Sequence, residues 1–116
     1  MTGPQFRTLH LMFEEQYTDL AGAVDEIAER IRALGAPAPG SFSQFSKLSS
    51  IQEATTVPAA QDMLRQLIAD NETTDRTLRE TANVAEEVND IVTADLVTER
   101  MAVHEKAAWM MRSVFE

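Results

Sequence analysis

Residues 5–35, QFRTLHLMFEEQYTDLAGAVDEIAERIRALG, decide the fold. Phe6, Leu9, Phe13, Tyr17, Leu20, Val24, Ile27, Ile31 and Leu34 recur three or four positions apart, which is the period of one helix face and not the alternation of a strand. Gly22 alone interrupts the run, and Gly35 supplies the left-handed backbone that ends such a helix. The stretch therefore predicts one long amphipathic helix.

Two further helices follow from the same reading. Pro58 stands where a first helical residue would, and the segment from there to about Val88 carries Ala60, Leu64, Leu67, Leu78, Ala82 and Ala85 on its seam. A third helix runs from a Thr93 cap to about Val114, using Val97, Met101, Ala108, Met111 and Phe115. Gly35, Pro37, Pro39 and Gly40 break the chain after the first helix, and Ser41 would cap a short helix with Phe42, Phe45 and Leu48.

Connection lengths order these elements. The second and third helices are about four residues apart, which makes them antiparallel neighbours. The first and second are separated by about 23 residues, well beyond the usual helix–helix loop, so the chain can cross over and run parallel. Residues 1–116 are expected to be a single all-α domain of three long helices plus a short crossover helix, the ferritin-like bundle arrangement. Three apolar stripes do not close a four-helix bundle, so another helix or another chain must complete it.

Composition narrows the function. The chain of 116 residues has 10 Lys and Arg against 19 Asp and Glu, a formal net charge of −9. Such a surface, with only Lys47 and Lys106 as lysines, argues against direct binding to nucleic acid phosphates. There is no cysteine, hence no disulfide, thiolate nucleophile or Cys-ligated metal. No run approaches the roughly 18 apolar residues of a membrane span, and the first residues have no signal-like apolar stretch. A cytoplasmic location is the expectation.

The chemistry lies on the first helix. With His10 at zero, Glu14, Asp25 and Glu29 fall at about 40°, 60° and 100° on the helical wheel, one stripe beside the apolar one. Glu15, Asp19, Glu26 and Arg30 occupy the face expected to be exposed. Imidazole with carboxylates suits iron, manganese or zinc. His10 and Asp25 are separated by roughly 22 Å along the axis, so the stripe holds two half-sites, His10 with Glu14 and Asp25 with Glu29. The residue numbers of His10 and Glu29 total 39, as do those of Glu14 and Asp25. A second copy packed antiparallel about a dyad between Asp19 and Leu20 would bring the halves together, with small Thr18 and Ala21 near the axis. The bland alternative is a solvated acidic face, since most carboxylates lie at the surface. His104 has Glu105 beside it but no ligand one turn on, so it reads as packed; Trp109, Met110 and Met111 read as core or interface. Glu86, Glu87, Asp90 and Asp95 form an acidic group around the last turn.

Residues 2–35, the segment SSIQEAT at 49–55 and TADLVTERMAVHEKAAWMMRSVF at 93–115 closely resemble the Dps proteins, the mini-ferritin branch of the ferritin-like superfamily. The pattern His10-x3-Glu14-x10-Asp25-x3-Glu29 carries the likeness. The resemblance implies ferroxidase ligands His10 and Glu14 from one subunit with Asp25 and Glu29 from a two-fold-related one. It implies a hollow dodecamer that oxidises Fe(II) with hydrogen peroxide or oxygen and stores the ferric mineral. It also suggests Asp90 and Asp95 as an iron path. Family members have a further helix, ending in His-Trp-Asn, before the Gly-Pro-x-Phe seen at residues 3–6. Its absence here, with one histidine ligand, is read as a misplaced gene start or a truncation. The second function class is a non-catalytic, truncated helical assembly protein.

Overall fold

The computed structural model describes all 116 residues and contains helices only: α1 (Phe6–Ala33), α2 (Phe42–Leu48), α3 (Ala60–Glu87) and α4 (Ile91–Ser113). Contacts gather into two compact units, Met1–Gln52 with α1 and α2, and Glu53–Glu116 with α3 and α4.

In the first unit, α1 is fixed at both ends by backbone geometry. Gly3, at φ 113°, and Pro4 form a turn in which the Phe6 N–H donates to Gly3 O at 3.1 Å. At the other end Gly35 takes φ 96°; its N–H donates to Arg32 O at 3.0 Å, and the Ala36 N–H donates to Ile31 O at 3.2 Å. That pair of bonds is the Schellman closure, which satisfies carbonyls the helix leaves open. α1 buries Leu9 and Ala23, whereas Phe6, Tyr17, Leu20, Val24 and Leu34 of the expected seam are exposed. Arg30, placed on the open face by the sequence reading, is half-buried instead. α2 begins as predicted: Ser41 Oγ accepts from the Gln44 N–H at 3.3 Å, and Gln44 Oε1 accepts from the Ser41 N–H at 3.2 Å. This reciprocal cap satisfies two otherwise open donors, which a seven-residue helix needs because it gains little from propagation.

The second unit is an antiparallel hairpin. Leu78 and Ala82 of α3 pack with Val97 of α4, and Met101 lies against them. Leu64 and Met111 are fully buried, and Ala85 and Ala108 nearly so. Burying a side chain such as Leu64 contributes roughly 1.5–3 kcal/mol. Polar contacts fix the register: the Arg65 guanidinium lies 4.9 Å above the Phe115 ring, and Arg112 Nη1 donates to Glu72 Oε1 at 3.1 Å.

The turn between them corrects the sequence reading. The cap of α4 is Asp90, not Thr93; Asp90 Oδ1 accepts from the Thr93 N–H at 3.1 Å, and Oδ2 accepts from the Thr93 hydroxyl. The helix already begins at Ile91, so Thr93 is its third residue, and its N–H is one of the open first-turn donors that the Asp90 side chain satisfies. Asp90 also closes α3. Asn89 takes the left-handed φ of 58°, and the Asp90 N–H donates to Ala85 O at 2.8 Å. Trp109 and Met110, read as core or interface, are exposed in the chain, whereas Met111 is buried.

Candidate metal centre

All four candidate ligands lie on α1, and all four are exposed. His10 and Glu14 come together as an i, i+4 pair, with Nε2 4.0 Å from Glu14 Oε2. That distance is too long for a hydrogen bond. Both side chains are more than half accessible, 59% and 65%, so the pair itself contributes little to stability. The Phe6 ring stacks on the imidazole, with centroids 5.4 Å apart and planes inclined by 19°. Asp25 and Glu29 repeat the one-turn spacing three turns and more further on. No group of three or more His, Asp or Glu side chains converges within the chain. The structure thus places two solvent-facing pairs on one helix, each short of a coordination shell. Leu11, Glu14, Glu15, Thr18 and Asp19 line a shallow groove beside the first pair.

Asp90 and Asp95 are separated by their roles. Asp90 is half-buried and committed to capping α4, while Asp95 is exposed.

His104 contrasts with His10. It is buried between helices: Nδ1 lies 2.8 Å from Asn71 Oδ1, and Nε2 lies 3.1 Å from Arg100 Nη2. A guanidinium only donates, so Nε2 accepts and the proton sits on Nδ1, donated to Asn71 Oδ1. Asn71 Nδ2 then donates to Leu67 O at 2.7 Å. The three side chains form a directional hydrogen-bond relay that ends on the α3 backbone. His104 falls on the sequence seam Val97, Met101, Ala108, Met111, a pattern that marks it as inward-facing. Asn71 and Arg100 were not singled out from sequence, because their partner is identified only when the helices pair.

Beside the relay is a polar cleft of about 410 Å³, lined by Glu72, Asp75, Arg79, Glu105 and Arg112 among others. Arg79 Nη2 lies 3.4 Å from Asp75 Oδ2 and 3.8 Å from Glu105 Oε2. A hydrogen bond and like charge from Asp75, with a contribution from burial, hold the Glu105 carboxyl above its ordinary range; Arg79 works against them. Burial likewise raises Asp70.

This helical order, with a long segment between the first long helix and an antiparallel hairpin, defines the ferritin-like class. The family pattern described as ferritin-like domain matches residues 1–116. The chain is 40% identical over 111 residues to DNA protection during starvation protein 2 of Bacillus anthracis, covering 96% of this chain and 76% of that one. It is 42% identical over 118 residues to an uncharacterized low temperature-induced protein of Nostoc, matching 100% of this chain and 66% of that protein. Among solved structures, Dps from Vibrio cholerae O1, described as a member of a broad superfamily of ferritin-like diiron-carboxylate proteins, superposes with a TM-score of 0.95 at 32% identity. That match covers 100% of this chain and 73% of the other. The chain belongs to the Dps family of mini-ferritins. It spans just under two thirds of the length of its Nostoc relative.

Proposed function

We propose that the protein binds and oxidises Fe(II) at sites shared between two protomers and stores the ferric product. One observation carries this reading. Two exposed acid-containing pairs, His10 with Glu14 and Asp25 with Glu29, lie on one helix with a spacing that is self-complementary about a dyad. Neither pair is a metal site alone, and an antiparallel second copy of α1 supplies to each what it lacks. Membership of the Dps family, whose solved member from Vibrio cholerae is described as a diiron-carboxylate relative, supports iron as the substrate.

In this reading His10 and Glu14 of one protomer, with Asp25 and Glu29 of the other, hold Fe(II) at the interface. Carboxylates stabilise the higher charge of Fe(III) better than neutral ligands do, which favours electron loss. Each Fe(II) gives one electron; with hydrogen peroxide as oxidant, two irons supply the pair that breaks the O–O bond, and two protons complete two waters. The assembly is a homo-oligomer built on that two-fold contact, a dodecamer by likeness to the family. Asp90 and Asp95 are proposed contributors to an iron path, Asp90 through the same carboxylate that caps α4. No helix is long and apolar enough to cross a membrane, and a cytoplasmic location is proposed. We propose no direct DNA binding by these 116 residues, whose net charge of −9 repels phosphate.

The second reading, a helical assembly protein without catalysis, draws on the apolar side chains that the chain leaves exposed, Phe42 at 92% and Val57 at 81% among them. Aerobic addition of Fe(II) separates the two. Ferric absorbance that rises faster than in buffer, with saturable stoichiometry, supports the first; a rate equal to buffer in a protein that still assembles supports the second.

A further inference from the structure

We infer that Phe6 is a positioning residue for His10, an inference that rests on the iron reading of α1. Phe6 is 46% exposed in the single chain, so packing within the chain holds only part of its ring. Its ring lies nearly parallel to the imidazole one helical turn on, at 5.4 Å and 19°. Its own backbone is held by the Gly3–Pro4 turn through the 3.1 Å bond from the Phe6 N–H to Gly3 O. The ring therefore stands on a fixed base at the first residue of the helix, where an unsupported side chain would fray.

The consequence falls on the imidazole. An exposed histidine turns about two bonds and spends much of its time in rotamers that face water. A flat ring stacked on one face restricts the second of those angles. The restricted ring has Nε2 4.0 Å from Glu14 Oε2. Two adjacent donors of one ion, each bound at roughly 2.0–2.2 Å, stand about 2.8–3.6 Å apart, so a small side-chain movement closes the gap. The pair is thus close to the separation that one Fe(II) requires, before any metal arrives. Leucine at position 6 would keep the apolar bulk and the helix propensity but offer no planar face; tyrosine would keep the face.

Anaerobic Fe(II) titration and proton NMR of the metal-free protein test this together. Phe6→Leu should weaken Fe(II) binding roughly three- to tenfold, the range of one aromatic pair, and should remove the ring-current shift of the His10 ring protons. Phe6→Tyr should restore both, and thermal stability should differ little among the three proteins. His10→Ala is the control for the underlying reading. If Phe6→Leu binds Fe(II) like the parent while His10→Ala does not, the positioning role is overturned and the iron site stands. If the His10 shifts are the same in Phe6→Leu and parent, the stack does not hold the imidazole and the inference also fails. If His10→Ala binds like the parent, the iron site and its positioning residue fall together.

Discussion

The two histidines of the chain have opposite fates. His104 on α4 is buried and has partners on both ring nitrogens, at 2.8 and 3.1 Å. His10 on α1 is exposed, stacked on one face, and stands 4.0 Å from the nearest carboxylate described. The first is consumed by structure; the second is left open to solvent. The difference teaches that a histidine's use is read from what its nitrogens already do. The same holds for carboxylates: Asp90 caps a helix, whereas Glu14 faces water beside an imidazole.

The largest expected effect breaks the contrast from the side of α1. His10→Ala and Glu29→Ala should each lose most Fe(II) binding, at least tenfold by isothermal titration, although the positions are roughly 28 Å apart on one helix. Melting temperatures should barely change. Mixing the two variants in equal amounts and allowing subunits to exchange should recover roughly a quarter of parental sites, because half the dimers carry one intact site out of two. If either variant binds iron like the parent, α1 carries ordinary surface charge.

His104→Ala probes the other side. It withdraws the acceptor from Arg100, the donor from Asn71 and packed volume from between the helices. A stability loss of roughly 2–3 kcal/mol by denaturant unfolding is expected, with Fe(II) affinity per folded protomer unchanged. A loss below 0.5 kcal/mol, as at an ordinary surface position, would erase the distinction between the histidines.

A smaller effect comes from comparing helix ends. α1 closes on Gly35 and α3 on Asn89, both in the left-handed region. Asn89→Gly should stabilise the protein by about 0.5 kcal/mol, since glycine takes that φ without steric cost. The change in midpoint at constant m-value measures it.

The smallest effect belongs to Glu105. Its carboxyl is raised in the folded chain through Asp75, so its stabilising contribution is present at low pH and is lost as pH rises through the raised value. As pH rises past the ordinary carboxylate range, the parent should show a slight decline in stability that Glu105→Gln lacks. Exposure keeps the effect small. An identical pH profile in both proteins would show that Asp75 does not raise the Glu105 carboxyl.

Much of this was legible along the chain. The one-turn spacing of His10 and Glu14, the Ser41 cap and the Gly35 stop are local patterns, and each stands where the sequence places it. Asp90 was missed as the α4 cap because Thr93 is also a capping type, and geometry chooses between two such side chains three residues apart. The Asn71 and Arg100 partners of His104 were out of reach for another reason. Asn71 is 33 residues from His104, and nothing in either segment marks the pairing before the hairpin forms. Phe6 was read as one more apolar residue, since periodicity does not distinguish a ring that buries from a ring that braces.

The turn at Asn89 and Asp90 has one more consequence, for tolerance to length change. Asp90 ends one helix and begins the next, so no slack residue lies between the two closures. An inserted or deleted residue there would turn α4 by about 100° against α3 or open one closure. His104 would leave Asn71, and Arg112 would leave Glu72. An added or removed residue should be tolerated far better in a segment such as residues 51–58, which lies between helices and closes neither, than at this turn.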